Sequence, residues 1–362
     1  FATGERNHPL ALTMWDFSWL ERRWSGAGYE DWDQALDELV ERGYNALRID
    51  AYPHLIALDG EKTWELLPRW SVQDWGAPAR VRVQVQPHLN QFLRKCAQRN
   101  IQVGLSSWFR QDIANSYMPL KTPEAMAKAR QITLDSIDPD LHSYILYVDL
   151  CNEPSLKVWS EFLGDDFDRA RHHQPLEHYM NASIAQLKAK YPNIDMTYSS
   201  IPRGSWPEED SSFLDFHDLH IWMAPGEFYE KVGYNYELFD DKDYNNVQLH
   251  AERLYREKPQ YWKSILQQRI DEAIKQSVAT NKYLVTSEGW AIVDYKDWPM
   301  LDWQWVKELC EYAVIEAAKS GRWLAISTSN FCGPQFKGMW NDIEWHQRLT
   351  QHIKSAQIMP LS

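Results

Sequence analysis

What most restricts the architecture of this chain is a regular alternation. Short apolar runs take turns with segments of helical period over residues 10–354, and no shift in composition marks a linker. Strand-like runs occur at 10–16, 46–50, 101–106, 144–151, 194–199, 214–221, 283–287 and 323–328. After the first run, Trp32, Ala35, Leu36, Leu39 and Val40 recur at i, i+3, i+4, i+7 and i+8, a spacing that gathers them on one helix face. Segments 89–97, 125–137, 179–190, 266–278, 306–317 and 344–354 repeat that period. Between the fifth and sixth runs, residues 204–212 leave room for little more than a turn. Seven good β-α alternations and one poor one predict a single closed (β/α)8 barrel domain spanning residues 1–362. An open doubly wound sheet would call for a Gly-rich phosphate turn after its first strand, and Trp15-Asp16-Phe17-Ser18-Trp19 is not one.

Segment lengths say which end of such a barrel does the work. The stretches 51–86, 154–176 and 222–260 follow predicted strands and are long, whereas the helix-to-strand connections are a few residues each. Long loops after the strands belong to a barrel whose working face is the C-terminal one. These loops carry Trp64, Trp70, Trp75, Tyr229, Tyr234, Tyr236 and Tyr244, which are expected to wall a deep pocket. The chain has 19 Trp, more than a core easily uses, because each buried indole N–H needs a partner. Flat aromatic faces suit the C–H faces of sugar rings, so the excess points to carbohydrate.

Charge and cysteine usage remove other partners. A net charge of −13 argues against nucleic acid or an anionic membrane surface, and no apolar stretch is long enough to span a bilayer. Cys96, Cys151, Cys310 and Cys332 lack C-x-x-C spacing, which predicts free thiols, no metal site and a reducing, cytoplasmic compartment; secretion after loss of a leader stays open. The oligomeric state is not readable.

Two carboxylates carry the chemistry. Glu153 closes the fourth apolar run and Glu288 the seventh, so a barrel brings both to one mouth from nearly opposite sides. One acid/base and one nucleophile, or one water-activating base, are what glycosidic-bond cleavage needs. No cofactor is required, since both proton transfer and attack come from carboxylates. Asp16 and Asp50 end the first two strands and are expected to bond sugar hydroxyls, with Trp15, His54, Trp108 and Trp290 beside them. His217 and His220, three apart on a strand, face opposite ways and make a poor metal pair.

At these residues the chain resembles a known group. Asn152-Glu153-Pro154, following Tyr147-Val148-Asp149-Leu150-Cys151, is similar to the acid/base motif of clan A glycoside hydrolases, in particular the cellulase-like family 5 group. Arg48 near the end of strand two, His220-Ile221-Trp222 at the end of strand six and Glu288-Gly289-Trp290 at the end of strand seven continue the likeness over residues 10–354. The resemblance implies a retaining mechanism on a β-glycoside, with Glu153 as acid/base and Glu288 as nucleophile. It also implies Asn152 as donor to the sugar 2-OH and His220 as a group orienting Glu153 or holding the sugar. Trp222 stands where the family has Tyr. The family's strand-eight Trp is replaced by Ser327-Thr328-Ser329-Asn330, leaving Asn330 and Trp340 as candidates on that side and setting the chain apart from a cellulose-type substrate. A binding protein that has lost catalysis, or an inverting hydrolase with the pair more widely spaced, are the competing readings.

Overall fold

The computed structural model describes residues 6–361 apart from 237 and 239. Eight parallel strands form one sheet: β1 (Leu10–Asp16), β2 (Ala46–Asp50), β3 (Gln102–Ser106), β4 (Ile145–Asp149), β5 (Met196–Thr197), β6 (His217–Asp218), β7 (Leu284–Thr286) and β8 (Trp323–Ser327). Their spatial order is β5-β4-β3-β2-β1-β8-β7-β6. Between β5 and β6 the ring is joined by a parallel bridge from Ser200 to Leu219, with Ser200 N–H on Asp218 O at 3.0 Å and His220 N–H on Ser200 O at 2.8 Å. The architecture is the expected (β/α)8 barrel. The strand ends are shorter than the apolar runs, above all at β5 and β6, because the runs continue past the ladder into the mouth.

The helices that return the chain are α1 (Trp32–Glu41), α2 (His88–Gln98), α3 (Pro123–Asp135), α4 (Gln174–Lys190), α5 (Pro259–Thr280), α6 (Gln304–Lys319) and α7 (Ile343–Ser355). Only a short 3-10 turn, Trp206–Glu208, stands between β5 and β6, as the brief segment there implied. On α1 the side chains of Trp32, Ala35, Leu36 and Leu39 are buried, but Val40, assigned to the same face from spacing, is 43% exposed. Asp31 caps α1 by accepting from Gln34 N–H at 3.1 Å.

Two apolar clusters divide the strands. Ala11, Leu47, Ile49, Val103, Leu105 and Val148 pack outward with the helices, while Leu10, Leu12, Ala46, Tyr147, Phe216, Val285 and Leu324 form a smaller group on the opposite, inward face. The alternation is that of a strand. Tyr147 fills much of the interior, lying edge-on to Phe216 at 5.2 Å. Gly104 makes room for it, since a Cβ there would sit 2.5 Å from its ring.

Above the barrel, the long loops build the rim. A second parallel ladder, Ile221–Trp222 against Gly289–Trp290, extends β6 and β7 past their ends. The loop after β2 folds into an antiparallel hairpin, Thr63–Leu66 with Val81–Gln84. Among the described residues no helix is long and apolar enough to cross a membrane.

Candidate active site

Glu153 and Glu288 meet at the C-terminal mouth, just beyond β4 and β7. Their side chains and that of His220 each offer an atom within 4.8 Å of the others. Both glutamates are buried, at 2% and 6% exposure. Glu153 sits at φ +41°, a left-handed conformation that costs a non-glycine residue about 1–2 kcal/mol. It is held there by its own N–H on Ser199 Oγ at 3.1 Å and by its carbonyl, which accepts from Leu156 N–H at 2.9 Å. Strain kept in place this way is characteristic of working positions.

Arg48 ties the site to the barrel interior. Fully buried, its guanidinium donates to Glu288 Oε1 at 2.6 Å, Asp149 Oδ2 at 2.8 Å, Asn152 Oδ1 at 2.7 Å and Ser106 Oγ at 3.0 Å, and it stacks over Trp108 at 4.6 Å. Burial works against its charge, yet Asp149, Glu288 and Asp218 together hold it above the ordinary arginine value. Asp149 is in turn fixed by Ser199 N–H at 2.9 Å and by the hydroxyls of Ser106 at 2.7 Å and Ser199 at 3.0 Å. The contact with Asn152 settles that side chain's orientation: its oxygen faces Arg48, so its amide N–H groups face away.

His220 anchors the other carboxylate. Its Nδ1 lies 2.5 Å from Glu153 Oε1 and 3.9 Å from Glu288 Oε2. Its Nε2 is 3.1 Å from Ser287 Oγ, and Ser287 donates its hydroxyl to Asp218 Oδ2 at 2.7 Å and its N–H to Asp218 Oδ1 at 3.0 Å. Asp218 can only accept, so Ser287 Oγ must accept from Nε2–H. Burial alone would lower the imidazole, but Glu288, Glu153 and Asp218 push it up to about 10. Burial raises the Glu288 carboxyl above its usual range; His220 and Arg48 oppose that rise and Glu153 adds to it.

A histidine and two carboxylates this close resemble a metal set. These atoms already have partners within the protein: His220 Nδ1 lies 2.5 Å from Glu153 Oε1, and Arg48 donates to Glu288 Oε1 at 2.6 Å.

The remaining expected residues divide. Asp16, at φ +40°, accepts from Ser18 N–H through one oxygen at 2.7 Å, and burial pushes it up to about 8. Trp108 stacks under Arg48, and Trp222 stands edge-on to His220 at 5.7 Å with its indole N–H buried and unpartnered. Asn330 is buried with an unpartnered amide oxygen. Trp290 is wholly buried and donates to Ser327 O at 2.8 Å, a packing role in place of sugar contact. Asp50 is corrected more firmly: both oxygens are taken by backbone, Tyr52 N–H at 2.7 Å and Trp108 N–H at 3.0 Å, so it joins two loops. His54 bonds Arg110 O at 2.8 Å, and burial brings it down to about 4. Trp340 lies away from the mouth, bonded to Glu38 Oε2 at 2.8 Å and stacked on Arg42 at 4.2 Å, where it packs α1 against α7.

Among the loop aromatics, Trp64 belongs to the hairpin and bonds Asp59 O at 3.0 Å, and Trp75 packs on Phe336 at 4.6 Å. Tyr236 stacks on Tyr229, Tyr234 meets Tyr229 edge-on, and Tyr244 meets Tyr234 edge-on in turn. Of these, Tyr236 reaches Trp222 at 6.4 Å; burial and then the charges of Glu153, Asp294 and Glu288 raise its phenol. Trp159 was not anticipated: its indole N–H donates to Glu153 Oε2 at 3.1 Å. Nothing in its surrounding sequence marks it among so many tryptophans. Asp149 and Asp218 could have been noticed as charges inside apolar runs, where burial demands a partner.

A (β/α)8 barrel with strand-end glutamates facing each other beside a buried arginine and histidine defines a protein built on the plan of the family 5 glycoside hydrolases. Residues 12–354 match the cellulase-like family, described as sugar-binding and cellulase-like, and the chain belongs to that family. It is 49% identical to a provisionally assigned glycoside hydrolase from Parabacteroides distasonis, over 99% of this chain and 96% of that one, with a TM-score of 0.94. Two more distant structures share the fold. A family 5 mannosidase from Rhizomucor miehei aligns with TM-score 0.56 at 10% identity over 96% of this chain and 93% of its own. A family 5 subfamily 18 protein from Bifidobacterium longum, in complex with Manβ1-4GlcNAc, aligns with TM-score 0.52 at 10% identity over 97% and 80%. No curated protein matches the chain.

Proposed function

We propose that this protein is a retaining β-glycoside hydrolase working by double displacement. The observation that carries the reading is that one oxygen of Glu153 and one of Glu288 lie within 4.8 Å of each other, with His220 Nδ1 2.5 Å from the first carboxylate and 3.9 Å from the second. Retaining enzymes hold their carboxyl groups about 5–5.5 Å apart, while inverting enzymes need roughly 6.5–9.5 Å to admit a water. The pair therefore favours a covalent intermediate over direct hydrolysis.

In the first step a Glu288 oxygen attacks the anomeric carbon. The glycosidic C–O bond breaks, and the Glu153 proton passes to the departing oxygen. In the second, Glu153 takes a proton from water, the water oxygen bonds to the anomeric carbon, and Glu288 leaves as a carboxylate. Arg48 and His220 are the two cations that keep Glu288 available as a nucleophile against the burial that disfavours its charge. Asn152, its oxygen committed to Arg48, presents its amide N–H to the sugar 2-OH. Asp16, Trp108, Trp222 and Asn330 are the further groups suited to the bound sugar, and the substrate is an oligosaccharide or β-glycan.

Replacing Glu288 by Ala tests the assignment. Turnover of an aryl β-glycoside should fall by several orders of magnitude, and azide should restore part of it while yielding the α-glycosyl azide. Full activity in the variant, or a β-azide product, overturns the reading.

A further inference from the structure

Resting on the glycosidase reading, we propose that the indole N–H of Trp159 is a positioning donor for the acid/base, fixing the Glu153 carboxyl so that its proton is aimed at the leaving group. The Nε1–Oε2 distance is 3.1 Å, and both side chains are buried, at 6% and 2% exposure. His220 already occupies Oε1 at 2.5 Å. With one anchor on each oxygen, the carboxyl is held against turning about its last side-chain bond.

An indole suits this task because it can donate and never accept. The lone pair facing Trp159 is thereby barred from carrying the proton, which confines it to the lone pairs left free. The donor is also neutral. Unlike the cationic His220 on the other oxygen, it adds no charge that would favour the carboxylate over the acid, and the acid form is needed for the first step.

Trp159 is itself held. It ends the 3-10 turn Lys157–Trp159, its backbone N–H bonds Leu156 O at 3.1 Å, and its carbonyl accepts from Cys151 Sγ at 3.6 Å. Its ring stands perpendicular to Trp70 with centroids 4.9 Å apart. The turn begins four residues after Glu153, so the strained backbone of the acid/base and its donor belong to one local unit.

A tryptophan that merely fills space would make the same ring contacts, and leaving-group dependence separates the two roles. Trp159→Phe keeps a ring and removes the donor. On an alkyl β-glycoside, whose leaving group needs a proton, kcat/KM should fall about tenfold to a hundredfold, within the range general acid catalysis supplies. On the 2,4-dinitrophenyl β-glycoside of the same sugar, which departs unprotonated, kcat/KM should be unchanged. Trp70→Phe, which alters the ring contact and leaves the N–H in place, should give the same leaving-group dependence as the parent.

Equal loss on both substrates, or none on either, overturns the proposal. Should Trp159→Phe fail to fold, 3-benzothienylalanine at position 159, with sulfur in place of the N–H in a ring of the same shape, gives the same reading. A parent protein inactive on every aryl and alkyl β-glycoside tried would remove the glycosidase reading and this inference together. A parent that is active, with a variant showing no leaving-group bias, removes the inference alone.

Discussion

Asp16 illustrates how burial alone gives a side chain a pH signature. Its pKa moves from 3.8 to about 8, so between those values the folded chain keeps a proton that the unfolded chain has released. Stability from this group is fully present below pH 3.8 and is lost as pH rises through about 8. Asp16→Asn cannot titrate, and its amide oxygen can still accept from Ser18. The variant should therefore gain on the parent as pH climbs from about 4 to about 8, read from urea midpoints; parallel curves would contradict the assignment. At this scale the sequence was readable where position on a strand decides the outcome. Arg48 stands near the end of β2 and Glu153, His220 and Glu288 just past the ends of β4, β6 and β7, and the barrel's geometry alone brings them together. It misled where a polar side chain at the same height turns to the backbone, as Asp50 does, since strand position does not say which amides a loop will present. Trp340 failed for a related reason: spacing places it after β8 but not on which side of α7 it packs.

Among elements, β3 and β4 are coupled through one missing side chain. A Cβ on Gly104 would lie 2.5 Å from a ring carbon of Tyr147 and 2.9 Å from its hydroxyl, and both partners are in rigid, paired strands. Gly104→Ala should therefore destabilise by about 1–3 kcal/mol, the usual cost of overpacking a filled core; denaturant unfolding at neutral pH checks it, and a loss below the lower figure would mean that the Tyr147 ring can shift. The strands themselves were legible because a parallel sheet covered on both faces is written as continuous apolar runs. Their ends were not: the runs at β5, β6 and β7 carry on into Ser199, His220 and Ser287, which leave the ladder to reach inward. The absent helix between β5 and β6 was also visible, since too few residues were available to make one. Val40 was assigned inward on a five-residue face, where the helix buries only four.

For the molecule as a whole, the hydrogen-bonded centre of the site is drawn from six of the eight strands and their following loops, with Arg48 from β2, Ser106 from β3, Glu153 after β4, Ser199 after β5, His220 after β6 and Glu288 after β7. The meeting of Glu153 with His220 and Glu288 cannot form before β4 is brought round to β6 and β7. Closure also shuts away the sulfur. Cys96, Cys151, Cys310 and Cys332 are all free and at most 1% exposed, and burial pushes Cys310 up to about 12 and Cys332 up to about 11. Ellman's reagent should thus find no titratable group in the native protein at pH 8 and four in guanidinium; fast labelling of a native sample would refute the burial. These atoms are spread round the ring, one on α2, one beyond β4, one on α6 and one beyond β8. Mass spectrometry of alkylated peptides would then time-stamp the opening of three regions separately, around α2, beyond β4 and around β8, where Cys310 and Cys332 lie close enough to influence one another, a clock for how the cylinder comes apart that needs no engineered label.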